Sequence, residues 1–498
     1  MTHISRRDFL KLSTLAAATA ASGVGKSIQW IGVRPVYAAE LSPELHLLNR
    51  TTWAIRPEDI ARIQAMGLEG YLDWQLNPEA IDDPAIDEFL TQFPVLTYTR
   101  QQLSDAASMD YSNVHDPALW GRLYRAAYSE RQLFELMVEF WTDHFNIPIA
   151  DLLTEKVMDD REVIRRHALG KFRDMLLASA QSPAMLSYLN NASSDQEHPN
   201  ENYAREVMEL HTLGVDGGYT EADVKALARI LTGWTVGSDG EFTFNYDMHD
   251  NGEKTFLGGT FPAGRGIEDG LQALDMLATH PSTARFVSYK LCRRFVSDTP
   301  PDSLIESTTQ VFVISEGDLR QVMRHILTSA EFNAAPNQKF RRPLDVMVAI
   351  LRVLRDGLDI QDYSIPVWWF LEPMGQVPFY WHPPNGYPDA VGAWMNTNGL
   401  LNRWNAAMLI PLAAEGWYDG MSLDLSVFGP TPATVGELAD KAIQLVLAAA
   451  IDPADRDQLI YYLSDYGDPN QPVTEGLLEE RLTSLLGLLM ASPYFQWH

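Results

Sequence analysis

Apolar residues recur at intervals of three and four along most of this chain, and that spacing points to a mainly α fold. Leu133, Met137, Phe140, Trp141 and His144 follow one another this way until Pro148 stops the run. Ser129 and Gln132 stand where a capping box would start that helix. Thr220 and Asp223 open another, with Val224, Leu227, Ala228 and Leu231 on one face. A third begins at Pro281 and carries Phe286, Leu291 and Phe295. Helices are further expected over residues 319–329, 343–354, 394–412, 435–450 and 476–490. A helix-end pattern recurs, Ile326–Phe332 against Leu489–Phe495, which two similar helix ends explain without a repeat architecture.

Two stretches break the period. Residues 241–247 alternate apolar and polar, the signature of a half-buried strand. With Asp250-Asn251-Gly252 as a turn and residues 254–257 returning, they predict one β-hairpin inserted near 241–257. From Tyr363 to Pro388, six prolines accompany Trp368, Trp369, Trp381 and Tyr387. Proline density of this kind opposes regular helix, and so much aromatic area does not suit a solvated linker. An ordered irregular segment is expected, either a structural connector or the wall of a pocket. The sequence divides into residues 1–38, a helical core over 39–400, and a C-terminal helical region over 401–498 packed on it.

The first of these is an export signal by its pattern. Ser5-Arg6-Arg7-Asp8-Phe9-Leu10-Lys11 meets each specified position of the twin-arginine motif, and a short, weakly apolar stretch follows. Val36-Tyr37-Ala38 suits a signal peptidase, with cleavage after Ala38. The expected location is therefore periplasmic or secreted. One cysteine, Cys292, excludes an internal disulfide, as suits a protein that folds in a reducing compartment before export. It lies in an amphipathic pattern and reads as a small buried hydrophobe. A net charge of −28 argues against nucleic acid as a partner. No stretch reads as an integral membrane span.

The densest polar cluster runs Asn200-Glu201-Asn202-Tyr203-Ala204-Arg205-Glu206-Val207-Met208-Glu209-Leu210-His211-Thr212. On a helix Asn202, Glu206 and Glu209 lie together, and Arg205 stands four residues from both Glu201 and Glu209. One reading is a solvated face laced by charge pairs. The other turns Glu206 and Glu209 inward to hold a divalent metal ion, with Arg205, Asn202 and Glu201 as candidate catalytic groups. His144, on an apolar helix face, is a candidate third ligand, although a lone interior histidine is more often a satisfied core residue. His249 and Asp250, in an oxygen-rich loop with Asp247, Asn251 and Glu253, complete the candidate metal set. There is no Walker loop, nucleophile elbow, H-E-x-x-H or Cys/His zinc pattern.

These segments together resemble the bacterial DUF1800 family. The resemblance rests on His46-Leu47-Leu48-Asn49-Arg50, Phe140-Trp141-Thr142-Asp143-His144-Phe145, and Pro183-Ala184-Met185-Leu186-Ser187-Tyr188-Leu189. It continues through residues 200–213, Tyr219-Thr220-Glu221-Ala222-Asp223, Leu231-Thr232-Gly233-Trp234, His249-Asp250-Asn251-Gly252-Glu253-Lys254, and Pro384-Asn385-Gly386-Tyr387-Pro388. Asn49 and Thr51-Thr52 depart from the basic and small residues more usual there. The resemblance implies an exported helical protein and no particular reaction. Two functions fit: an exported enzyme, metal-dependent through a buried carboxylate–histidine site, or a non-catalytic envelope protein that binds a small molecule or a protein partner.

Overall fold

The computed structural model describes residues 41–464 and 466–498. The expected signal segment, residues 1–38, lies outside the described residues. The fold is mainly α, and its centre is the helix Pro343–Leu354, every residue of which is buried. Such a helix must satisfy its charged groups internally. Arg352 does so on Asp59 (3.0 Å) and the carbonyls of Ala54 and Ala127, while Asp345 takes both arms of Arg294. Around it pack Ser112–Tyr128, Ile365–Leu371 and Thr397–Leu409. Buried side chains from Leu47 to Phe495 form one continuous apolar cluster. The helix Thr397–Leu409 runs through residue 400 and packs on Glu475–Ala491. Among the described residues, no helix is long and apolar enough to cross a membrane.

Thr220 caps Glu221–Ile230 with Asp223 reciprocating, as expected. At Ser129 the structure differs. The following helix starts at Gln132, and Ser129 Oγ instead donates to Asp83 Oδ2 and accepts from Arg131 N–H. Gln132 uses its amide on the Ala126 and Ser129 carbonyls, so no capping box forms.

The β structure also differs in its pairing. β1 (Trp234–Val236) pairs antiparallel with β2 (Phe242–Phe244), and β3 (Lys254–Phe256) with β4 (Gly259–Phe261). Leu257 and Gly258 both have positive φ, the requirement of a two-residue hairpin turn, so β3 folds forward onto β4 rather than back onto β2. Two successive hairpins thus replace the single one expected. A third pair, β5 (Leu358–Ile360) with β6 (Met421–Leu423), ties the end of the central helix to the C-terminal region.

Among the described residues, three helical turns are of the wide π type: Asp160–Arg165, Val207–Thr212 and Ile365–Leu371. The last corrects the expectation of wholly irregular backbone after Tyr363. Pro366 occupies its first turn, where an amide proton is not needed. Irregular chain begins after Gly375 and is held in place by neighbours. Asn146 donates to the carbonyls of Trp381 (2.7 Å) and Pro383 (2.8 Å), and Trp394 Nε1 donates to Pro388.

Candidate active site around Asp143 and Lys290

That irregular chain lines a cavity of about 270 Å³ with the ends of three helices. Asp143 comes from the last turn of Gln132–His144. Lys290, Arg293 and Arg294 come from one face of Pro281–Phe295, at the i, i+3, i+4 spacing that makes helical neighbours. Arg342 caps Pro343–Leu354. Trp381, Asn385, Tyr387 and Asp389 come from the irregular segment. Gly386 lies so close to the Asp143 carbonyl that a Cβ there would stand 2.0 Å from its oxygen, and its φ of 69° disfavours a side chain as well.

Most of the charges are committed to one another. Arg342 donates to Asp143 Oδ2 (2.5 Å) and Glu139 Oε1 (3.1 Å), and Arg122 braces Glu139 from behind. Arg294 grips Asp345 with two bonds of 2.9 and 3.0 Å. Lys339 spans Asp298 (2.6 Å) and Asp389 (3.1 Å). Burial opposes ionisation of Asp345 and Asp389, but the surrounding cations outweigh it and hold both below the usual carboxylate range.

Asp143 is different. Burial, reinforced by the neighbouring Glu139 charge, outweighs Arg342 and pushes it up to about 6. Lys290 is drawn down to about 8, again by burial, with Asp143 and Asp389 pulling the other way. His144 orients the ammonium. Its Nε2–H donates to the His211 carbonyl (3.0 Å), so Nδ1 carries the lone pair that accepts from Lys290 Nζ (2.9 Å). Burial, with Lys290 beside it, keeps that imidazole neutral.

Lys290 and Arg293 therefore stand apart from the other cations. Among the described residues, neither has a carboxylate within 4.0 Å, and Arg293 Nε is buried without an acceptor. Two unpaired cations beside a carboxyl poised near neutrality can seat an anion and exchange a proton with it.

The groups picked from sequence are dispersed. Glu201 and Asn202 are exposed. Arg205 turns away from Glu206 and Glu209 to make a two-armed pair with Glu221 at the next helix start (2.8 Å for each arm). Glu206 and Glu209 are half-buried, and burial together with the Glu209 charge raises Glu206. The α-helix ends at Glu206 and a π turn follows, which holds more residues per turn and alters the stacking that α spacing promised. His144 reaches this segment at the His211 carbonyl and beside the His211 ring, the ring centres 6.2 Å apart. His249 is buried against Thr232, its Nδ1 2.8 Å from the carbonyl, with Asp269 3.8 Å from Nε2. Asp250 is held by Arg229 (2.6 Å) and by the Gly252 amide. Lys254 pins this loop to Asp269 (2.9 Å). Among the described residues, no three His, Cys, Asp or Glu groups are gathered to hold a metal ion. The structure thus places the expected metal-site residues in separate groups: Arg205 and Asp250 are paired with other side chains, His144 and His249 are bonded to carbonyls, and Glu206 and Glu209 are half-buried.

Sequence reasoning misses Lys290, Arg293 and Arg294, which read only as part of an amphipathic helix. The signal was their spacing on a helix rich in buried residues. Cys292, on the same helix, is buried with its thiol beside Thr308 Oγ1 (3.5 Å), a packing role as expected.

A family model described as "Protein of unknown function (DUF1800)" matches residues 46–497. No curated protein and no solved structure matches the chain.

Proposed function

For a chain that belongs to the DUF1800 family, whose description names no activity, we propose a function from the cavity: an exported enzyme acting on a small organic anion. Lys290 and Arg293 seat a carboxylate, sulfate or phosphate group of the substrate, and Asp143 exchanges a proton with it. The observation that carries this is the pair of cations without carboxylate partners, among the described residues, opening on the cavity that holds Asp143. Trp381 and Tyr387, with ring centres 4.9 Å apart, offer an apolar wall for the rest of the molecule. Twin-arginine export is part of the proposal, and rests on residues 5–11 and on a fold that needs no disulfide.

Calorimetric titration of the exported protein with benzoate, aryl sulfates and aryl phosphates tests the anion site. Lys290→Met and Arg293→Met should each weaken the best ligand by about tenfold or more. Unchanged affinity in both sinks the proposal. Asp143→Asn separates catalysis from binding: turnover should fall with affinity kept, whereas a non-catalytic envelope protein would retain its biological role in that variant. The metal-dependent version has no gathered ligand set behind it; elemental analysis of exported protein checks it, a stoichiometric ion restoring it. Arg6→Lys with Arg7→Lys should leave precursor in the cytoplasm, and normal export of that variant overturns the route.

A further inference from the structure

A second cavity, of about 230 Å³, lies at the π turn Asp160–Arg165. Most of its charged lining is already engaged. Lys156 bonds Asp159 (3.3 Å), Arg165 bonds Glu135, and Arg161 donates to the carbonyls of Leu96 (3.2 Å) and Tyr98 (2.9 Å). Two groups are left over. Among the described residues, the Arg125 guanidinium has no acceptor, and Asp160 has no cation within 4.0 Å. Asp160 Oδ1 is fully buried without a donor. A buried carboxylate oxygen left bare is costly, and natural folds seldom keep one without a use.

The two charges nevertheless feel each other. Burial and the Arg165 charge draw Arg125 down to about 10, and the Glu135 and Asp160 charges act against that. Both line the cavity, and they stand more than 4.0 Å apart, too far to pair directly. The backbone beside them is also strained. Phe379, which lines the same cavity, holds a φ of 64°, rare for a bulky side chain, and its carbonyl is fixed by the Ile149 amide (2.9 Å).

We propose that this cavity binds a small zwitterion, an α-amino acid with an apolar side chain. Its ammonium meets Asp160, its carboxylate meets Arg125, and its side chain packs against Leu90, Leu96, Ile149 and Phe379. The α-amino and carboxyl groups of one molecule bridge what the two protein charges cannot close alone. A simple anion would satisfy Arg125 and leave Asp160 bare, and an amine would do the reverse. This site is independent of the Lys290 cavity.

Titration calorimetry on the full chain tests it with L-alanine, L-valine and L-leucine. Isovalerate lacks the ammonium, and isobutylamine lacks the carboxylate. At least one amino acid should bind, and both single-charge analogues should bind about tenfold more weakly or worse. Asp160→Asn and Arg125→Met should each abolish amino-acid binding. Isovalerate binding as tightly as valine would overturn the assignment of Asp160. No heat from any of the three amino acids at about 10 mM would overturn the site altogether.

Discussion

Two charged helical turns in this protein carry similar residues and have opposite fates. The turn holding Arg205, Glu206 and Glu209 lies at the surface, and its arginine pairs with Glu221 among solvent. The turn holding Lys290, Arg293 and Arg294 faces the interior, where Arg294 is fixed by Asp345 and the other two are left open to a cavity. The first loses little if its pair is broken, because water replaces the partner. In the second, losing Arg294 would strip the buried Asp345 of a two-armed partner in a low dielectric. Only the inward turn combines fixed geometry with uncommitted charge, and that combination is what a binding site requires.

The largest effect should come from breaking the inward turn. Asp345→Ala removes the shared partner of Arg294 and Arg342 and should cost about 3–5 kcal/mol, read from denaturant midpoints. Next stands Gly386→Ala. The Cβ would meet the Asp143 carbonyl in a left-handed conformation, so a loss of about 2–3 kcal/mol is expected, together with the anion site.

The third way to sharpen the contrast is pH. An unfolded Asp143 ionises near 3.8 and the folded one near 6, so between those values the folded chain holds the additional proton. Stability therefore falls as pH rises through this window, and Asp143→Asn should flatten that decline in melting curves. Lys290 runs the other way in its own range. Anion affinity should drop as pH climbs past about 8, where the ammonium is lost. Turnover, once a substrate is found, should follow a bell with apparent limbs near 6 and 8 belonging to the coupled site. The smallest effect belongs to the outward turn: Arg205→Gln should leave both melting temperature and anion binding at wild-type values.

The helices are legible in the sequence because each depends on a local pattern: Pro343 begins the central helix and Thr220 with Asp223 caps another. Strand pairing is not, because Leu257-Gly258 competes with Asp250-Asn251-Gly252 as a turn, and positive φ at a leucine cannot be read from composition. The site is half legible. The segment after Tyr363 reads as ordered, and His144 as interior, yet nothing in the sequence singles out Asp143 beside it. Charge density on a helix says nothing of which way it faces. The direction is set by what packs opposite, here the all-buried Pro343–Leu354 helix and the Gly386 loop, both far away in sequence.

The three π turns carry a consequence for how this chain tolerates changes in length. A π turn accommodates one residue more than the α turn it replaces. Around Val207–Thr212 that surplus delivers the His211 carbonyl to His144, and through it the Lys290 ammonium. Around Asp160–Arg165 it sits beside the bare carboxylate of Asp160. A single deletion in either turn would let the helix close into regular α, keeping its ends and its buried face while rotating the functional groups out of register. The placement of His144 and Asp160 thus depends on chain length in these turns as much as on side-chain identity.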